Sequence, residues 1–364
     1  MRITFLLPPT GPIPTGGSRI IYEYADRLQA RGHEVRVLHV TNLPFSRYAK
    51  RLPPIRWIKE YLRHRQELRS HRDALCWFPF SQPVQVDRIS RICDAEIPDG
   101  DIVFSTWWAT AHGVQKLRPS AGRKFYLVQH YETWGGAKHL VEQTYLMGQR
   151  IVVVSHWLKD RLAEIQSAVY GVVPNAIDTR IFKQLSPLTS RRLTQVGMIY
   201  SGQEFKRCAD GIQALRLVKE KFPDLQVEFV GACPAPEGLE PWITYIQNPS
   251  QQDLVQFYNR QTIFISSSHV EGFGLPGAEA LACGCALATT NSGGVMDYAI
   301  HEQTALVSEP LQPQELANNI ERLLRDEELR IRTAATGQAF VQTQLDWNKA
   351  VETMEALLQQ SGQA

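Results

Sequence analysis

Short apolar runs alternate with amphipathic helical stretches along this chain, and the alternation occurs twice. Ile3 to Leu7 is an apolar run ending in a Pro and Gly cluster. A helical pattern follows from Ser18 to Arg31, then a strand pattern from Glu34 to Val40. Strand, glycine loop, helix and strand in this order predict the opening of a Rossmann-like unit. Ser18 is the expected helix cap and Gly32 the expected stop. Further strand patterns at Ile102 to Ser105, Phe125 to Gln129, Ile151 to Ser155 and Val169 to Val173 are short and apolar, as strands covered on both faces of a parallel sheet are.

Between Pro174 and Arg192 the pattern lapses into a stretch carrying Ser186, Pro187, Thr189 and Ser190, which suits an interdomain linker. It then restarts. Strands are expected at Thr194 to Ile199, Gln226 to Val230, Ile263 to Ser266 and Ala286 to Thr290, with helices near Cys208 to Lys221, Gln251 to Asn259 and Leu275 to Cys283. Helical spacing of Leu316, Ile320, Leu323 and Leu324, and again of Val351, Met354, Leu357 and Leu358, makes the last sixty residues helical. At 364 residues the chain exceeds what one core usually serves, so the restart marks a second α/β domain. The expected division is an N-terminal domain over 1–174, a C-terminal domain over 175–345 and a final helix over 346–364. Open α/β sheets bind ligands beyond their strands' carboxyl ends, which places the expected site in a cleft between the two sheets.

Composition narrows the class. Apolar residues make up 43% and charged residues 21% of the chain, as in an ordinary globular protein. The 39 basic and 37 acidic residues nearly cancel, so overall charge implies no polyanionic partner. Basic residues do cluster: Arg47 to Asp73 holds nine Lys or Arg against Glu60, Glu67 and Asp73. Trp57, Ile58, Tyr61 and Leu62 lie there near helical spacing, which suits either a solvated helix or peripheral contact with an anionic membrane through residues 47–72. No nucleic-acid recognition motif accompanies the charge. The six cysteines form no C-x-x-C pair, the N-terminus lacks a signal-peptide core, and no run approaches the roughly 20 apolar residues of a spanning helix. The expected location is cytoplasmic, with the inner membrane face as a candidate site of peripheral attachment.

The chemistry concentrates in Ser266 to Gly294, SSSHVEGFGLPGAEALACGCALATTNSGG. A strand runs into the Gly272, Phe273, Gly274 turn and a helix begins near Leu275. Glycines let backbone approach a ligand, and a helix start offers N–H groups and a positive dipole end to phosphate. Glu271 and Glu279 flank this turn, so both carboxylates are expected to border one pocket.

Two Glu residues separated by seven, with Gly-Phe-Gly-Leu-Pro between them, resemble the signature of the retaining glycosyltransferases of family 4. That resemblance implies the GT-B fold: α/β, two Rossmann-like domains facing across a cleft, with the last helix crossing back to the first domain. It implies transfer of a sugar from a nucleoside diphosphate sugar to an acceptor hydroxyl, with retention, no cofactor and no metal. The acceptor would be a carbohydrate, a lipid-linked molecule or another hydroxyl compound. By the same resemblance Glu279 binds the ribose hydroxyls, Glu271 contacts the transferred sugar, and the backbone at Gly274 and Leu275 meets the distal phosphate. VPNAID, with Asn175, Asp178 and then Phe182, looks like the family's segment at the start of the second domain. Gly16 and Gly17 match its N-terminal glycine loop, and Gly293 and Gly294 its second Gly-Gly loop, followed by Asp297 where members usually carry Glu. His130 matches a His that contacts the donor sugar, and the neighbouring Glu132 and Trp134 are candidates for the acceptor side.

Charge developing on the leaving phosphate must be met by cations or helix termini. Lys206 matches the family's Lys, but Met198 follows Gly197 where an Arg is usual, and Arg207 is the candidate replacement.

Other classes fit less well. A nicotinamide oxidoreductase needs G-x-G-x-x-G, which PPTGPIPTGGS lacks. Asp99, Gly100 and Asp101 spell D-x-D but precede a strand as a turn, and Cys283 and Cys285 are too close together for a usual zinc pair. A non-catalytic sugar-nucleotide-binding protein of the same fold is the alternative reading.

Overall fold

A computed structural model of the chain describes residues 1–9, 15–43 and 77–360. The basic segment 47–72 and Cys76 lie outside the described residues. By its contacts the chain divides into two compact units. The first comprises Met1–Val154, Lys159–Val173 and the chain from Val351; the second comprises Ser155–Leu158 and Pro174–Ala350.

Among the described residues, seven parallel strands form the sheet of the first unit: β1 (Arg2–Leu7), β2 (Glu34–Val40), β3 (Gln85–Ile89), β4 (Ile102–Ser105), β5 (Arg123–Val128), β6 (Arg150–Val153) and β7 (Val169–Val172). Their order is β3-β2-β1-β4-β5-β6-β7, so the strand order reverses between β1 and β4. Ile3 pairs with Val35 on one side and Ile102 on the other. Apolar side chains cover both faces, and Phe5 stacks on Phe104 with ring centroids 4.7 Å apart.

The first helix, Gly16–Ala30, is capped by Thr15, whose hydroxyl accepts from Ser18 N at 3.2 Å, and not by Ser18 as expected. The cap lies three residues earlier because Gly16 and Gly17 form the first helical turn. Gly32 follows the C-cap at φ +86°, the left-handed geometry that ends helices.

Six parallel strands form the second sheet: β8 (Gln195–Tyr200), β9 (Gln226–Gly231), β10 (Ile243–Gln247), β11 (Ile263–Ser266), β12 (Ala286–Thr290) and β13 (Leu306–Ser308), in the order β10-β9-β8-β11-β12-β13. Val196, Val227, Phe229, Ile263, Ile265 and Leu306 belong to its buried core. Helices Cys208–Lys221, Gln251–Arg260, Leu275–Ala282, Pro313–Arg325 and Glu327–Gln344 accompany this sheet. The last helix, Trp347–Gln360, changes unit: Glu355 receives Arg31 Nε at 2.6 Å and pairs with His33 Nε2 at 2.7 Å, and Gly171 is shaped to Leu357.

Candidate functional site

In the second unit β11 leads through Ser267 to Gly274 into the helix Leu275–Ala282. Gly274 precedes that helix at φ +83° and ψ 51°, where a Cβ would fall 2.5 Å from Val295 and 2.9 Å from the Tyr298 hydroxyl. Only glycine fits there, both for the left-handed backbone and for the space. Pro276 sits in the first helical turn and supplies no N–H, so Gly274 and Leu275 carry the leading amides of this helix. The Tyr298 hydroxyl donates to Gly274 O at 2.5 Å and pins the turn. Burial pushes its phenol far up, and Glu271 and Glu279 push the same way, so it stays a neutral donor.

A second loop rests against this turn. Glu271 N donates to Ser292 O at 2.7 Å, and Gly294 N donates to Glu271 O at 3.0 Å. A Cβ on Gly294 would stand 2.0 Å from Gly272 O, so the two loops meet backbone to backbone. Gly293 has φ +87°, and a Cβ there would strike the Trp157 indole at 2.5 Å. Asp297 accepts from His156 N at 2.9 Å and lies 3.0 Å from His156 Nδ1, so its carboxylate is already engaged.

Both candidate carboxylates are about 7% exposed, and each is held by a different partner. Glu271 Oε1 receives the Lys206 ammonium and the Ser268 hydroxyl, each at 2.7 Å. It lines a shallow open depression together with Met198, Lys206, Ser266, Gly274 and Gly277. Glu279 is absent from that lining. Its Oε2 accepts from the Tyr258 hydroxyl at 2.9 Å, because its place on the helix turns it toward the helix Gln251–Arg260.

The cations separate as well. Lys206 ends a tight turn and faces Glu271, whereas Arg207 adopts φ +48° and directs its guanidinium to Asp210 at 2.9 and 3.0 Å. Lys206 lines the depression and Arg207 does not. Met198 is 2% exposed within β8, and its sulfur fills the space beside Gly211.

In the first unit Gly16 and Gly17 lie at the helix start beyond β1, and Gln129 Nε2 donates to Gly17 O at 3.2 Å. His130, past β5, has Nδ1 3.2 Å from Trp134 Nε1 and 3.1 Å from Tyr131 O. Such a nitrogen accepts from the indole or donates to the carbonyl, according to its tautomer. Trp134 is 40% exposed. Glu132 is not an acceptor-side group: it is 2% exposed and its Oε2 accepts from Trp108 N at 2.6 Å and the Tyr126 hydroxyl at 2.8 Å. Burial raises its pKa to about 8 despite those two donors.

The remaining sequence candidates are engaged structurally. Asp101 accepts from Arg2 N, and Asp99 from Arg118 and Ser120. Burial pushes the Cys283 and Cys285 thiols up, Cys285 to about 11. Among the described residues no three His, Cys, Asp or Glu group as metal ligands, and no helix is long and apolar enough to cross a membrane. Tyr258, Tyr298, Ser268, His156 and Trp157 escaped the sequence reading. Aromatic residues at helical or loop positions carry no signal that separates core packing from a supporting role at a site.

Two doubly wound parallel sheets in tandem define a protein of the GT-B class, and solved structures bear this out over the whole chain. The Anabaena protein Alr3699/HepE, crystallised in complex with UDP and glucose, aligns with a TM-score of 0.73 and 16% identity, covering 99% of each chain. Sucrose-phosphate synthase from Thermosynechococcus elongatus aligns at 0.71 and 16%, covering 99% of this chain and 98% of that one. Residues 14–181 match the profile described as Glycosyltransferase Family 4 and residues 178–340 match Glycosyl transferases group 1, so the chain carries both halves of a GT-B glycosyltransferase. Among curated relatives, the capsular polysaccharide biosynthesis glycosyltransferase CapM of Staphylococcus aureus is 25% identical over 41% of this chain and 43% of its own length. The uncharacterized glycosyltransferase YqgM of Bacillus subtilis is 24% identical over 64% of this chain and 66% of its own length. The match thus spans less than two thirds of either relative.

Proposed function

We propose that the chain transfers a sugar from a nucleoside diphosphate sugar to an acceptor hydroxyl with retention of configuration, in the synthesis of a polysaccharide, glycolipid or other glycoconjugate. The observation that carries this reading is the Lys206–Glu271 pair at 2.7 Å beside the glycine-led start of the helix Leu275–Ala282. The amides of Gly274 and Leu275 and the Lys206 ammonium would meet the distal phosphate, with Gly272, Phe273, Gly293 and Gly294 shaping the wall. Glu271 would orient the transferred sugar, and Glu279, held by Tyr258, would take the ribose hydroxyls. The bond from the anomeric carbon to the phosphate oxygen breaks as the acceptor oxygen bonds to the same face of that carbon. The acceptor's proton passes to the departing phosphate oxygen, so no side-chain base is consumed.

A thermal-shift panel of UDP, GDP, ADP and dTDP with their sugars tests the reading, since a ligand of the folded state raises stability by mass action. UDP-glucose is the first donor to try, because a protein of the same fold holds UDP and glucose. One nucleotide series is expected to stabilise the chain, and Glu279→Ala is expected to weaken that binding by about tenfold or more through loss of a charge-assisted contact. A chain that no nucleotide stabilises, and that turns over no donor, would sink the proposal.

A further inference from the structure

Trp107 and Trp134 stand together beyond the carboxyl ends of β4 and β5, the part of an open parallel sheet where ligands bind, and β4 adjoins the reversal of strand order. Their ring centroids lie 5.2 Å apart at an interplanar angle of 55°. Trp134 is the only exposed tryptophan among the described residues, and Trp107 is half-buried. Both are fixed from behind. The Trp134 indole nitrogen lies 3.2 Å from His130 Nδ1. A Cβ on Gly135 would stand 2.5 Å from the Trp107 ring, and one on Gly136 would stand 2.5 Å from the ring of the buried Trp108. Two consecutive glycines therefore let the loop close onto both indoles. Trp108 N is held by the buried Glu132 carboxyl, which also receives Tyr126 from β5.

We propose that Trp107 and Trp134 form a shelf that stacks the apolar face of a pyranose ring of a carbohydrate acceptor; this rests on the glycosyl-transfer reading above. Rings 5.2 Å apart are too close to admit a flat base between them, so a ligand lies over the tilted pair. A pyranose suits that geometry: it offers an apolar C–H face to the π-surface and hydroxyls around its edge for water and for polar neighbours. Of the exposed residues that follow, Ala137 adds only a methyl group and Lys138 and His139 are polar, so the rings carry most of the apolar area and a lipid tail is disfavoured.

The test uses the full chain with methyl α- and β-glycosides of glucose, galactose, mannose and N-acetylglucosamine, and with cellobiose, in saturation-transfer NMR with and without UDP. Saturation is expected on the C–H protons of one ring face of at least one probe, with quenching of tryptophan fluorescence. Trp134→Ala should weaken that binding about five- to tenfold, as one stacking contact implies, and Trp134→Phe should restore part of it. Equal saccharide binding by wild type and Trp134→Ala, or no saccharide contact in wild type, overturns the shelf. UDP thermal shifts, measured in parallel, report on the second unit. If UDP and every other nucleotide fail to stabilise the chain, the donor reading has failed instead.

Discussion

Glu132 gives the sharpest test of the first unit, because a single buried carboxyl links β5 to the start of the helix Trp108–Val114. Its ordinary value of 4.5 is raised by burial to about 8, with the Tyr126 and Trp108 donors opposing the rise. The groups facing it are the Tyr126 and Tyr145 phenols, both pushed far up by burial and so neutral throughout, and the Trp108 backbone amide, while its own backbone N–H donates to the Tyr145 hydroxyl. Between pH 4.5 and about 8 the folded chain keeps a proton that the unfolded chain has released. Stability is then fully present below about pH 4.5 and is lost as the pH rises through about 8, at about 1.4 kcal/mol per pH unit. Across the window the loss reaches at most about 5 kcal/mol. Glu132→Gln keeps the shape and an acceptor oxygen but cannot ionise. Scanning calorimetry of both proteins between about pH 5 and pH 8.5 at fixed ionic strength is the assay. With about 2–4 °C per kcal/mol for a unit of this size, the wild-type transition should fall by roughly 10 °C relative to the glutamine variant. Two pH profiles that run parallel would refute the argument.

The other predictions concern the second unit. Lys206→Met should lower kcat about 10²- to 10³-fold in a donor-turnover assay, as loss of an oxyanion-stabilising group does, while Lys206→Met with Glu271→Gln should bind UDP better than Lys206→Met alone, because no unpaired carboxylate then faces the phosphates. Tyr258→Phe should weaken nucleotide binding about fivefold by calorimetric titration, since Glu279 loses the phenol that aims it. Gly293→Ala should cost at least about 2 kcal/mol in urea unfolding from its φ of +87° and the Trp157 clash, whereas Gly202→Ala, with nothing within 4 Å, should change stability by under about 1 kcal/mol.

Central strands were legible because a strand buried on both faces must be apolar throughout. Ile102–Ser105, Ile263–Ser266 and Ala286–Thr290 fall where the pattern predicts them. Three of the four edge strands were not, β7 being the exception. Gln85–Ile89 reads QVDRI, Ile243–Gln247 is half-exposed, and Leu306–Ser308 spans three residues, so none presents a long apolar run. The Glu271 turn was legible from glycine and proline chemistry alone. The direction of Glu279 was not, because helical periodicity places a residue on a face without naming the neighbour that face meets. Glu132 misled for a related reason: it lies two residues from His130, but the short turn Glu132–Trp134 rotates its carboxyl into the interior.

The substitution of Met198 for a usual Arg acquires a physical meaning from these placements. A cation at that strand position would have to leave a core in which Met198 is 2% exposed and its sulfur packs beside Gly211. The Arg207 guanidinium is likewise already paired, with Asp210. On the proposed reading, Lys206 meets a phosphate while already paired with Glu271, so the side-chain charge offered is close to zero before the donor arrives. Phosphate binding then leans on the amides and dipole of the helix Leu275–Ala282, a short-range source worth about 0.3–1 kcal/mol at an exposed terminus and up to about 2 kcal/mol when partly buried. Short-range amide contacts are screened by salt far less than separated surface charges are. Nucleotide affinity should therefore depend weakly on ionic strength, and the geometry of Gly274 matters more to it than any added surface cation.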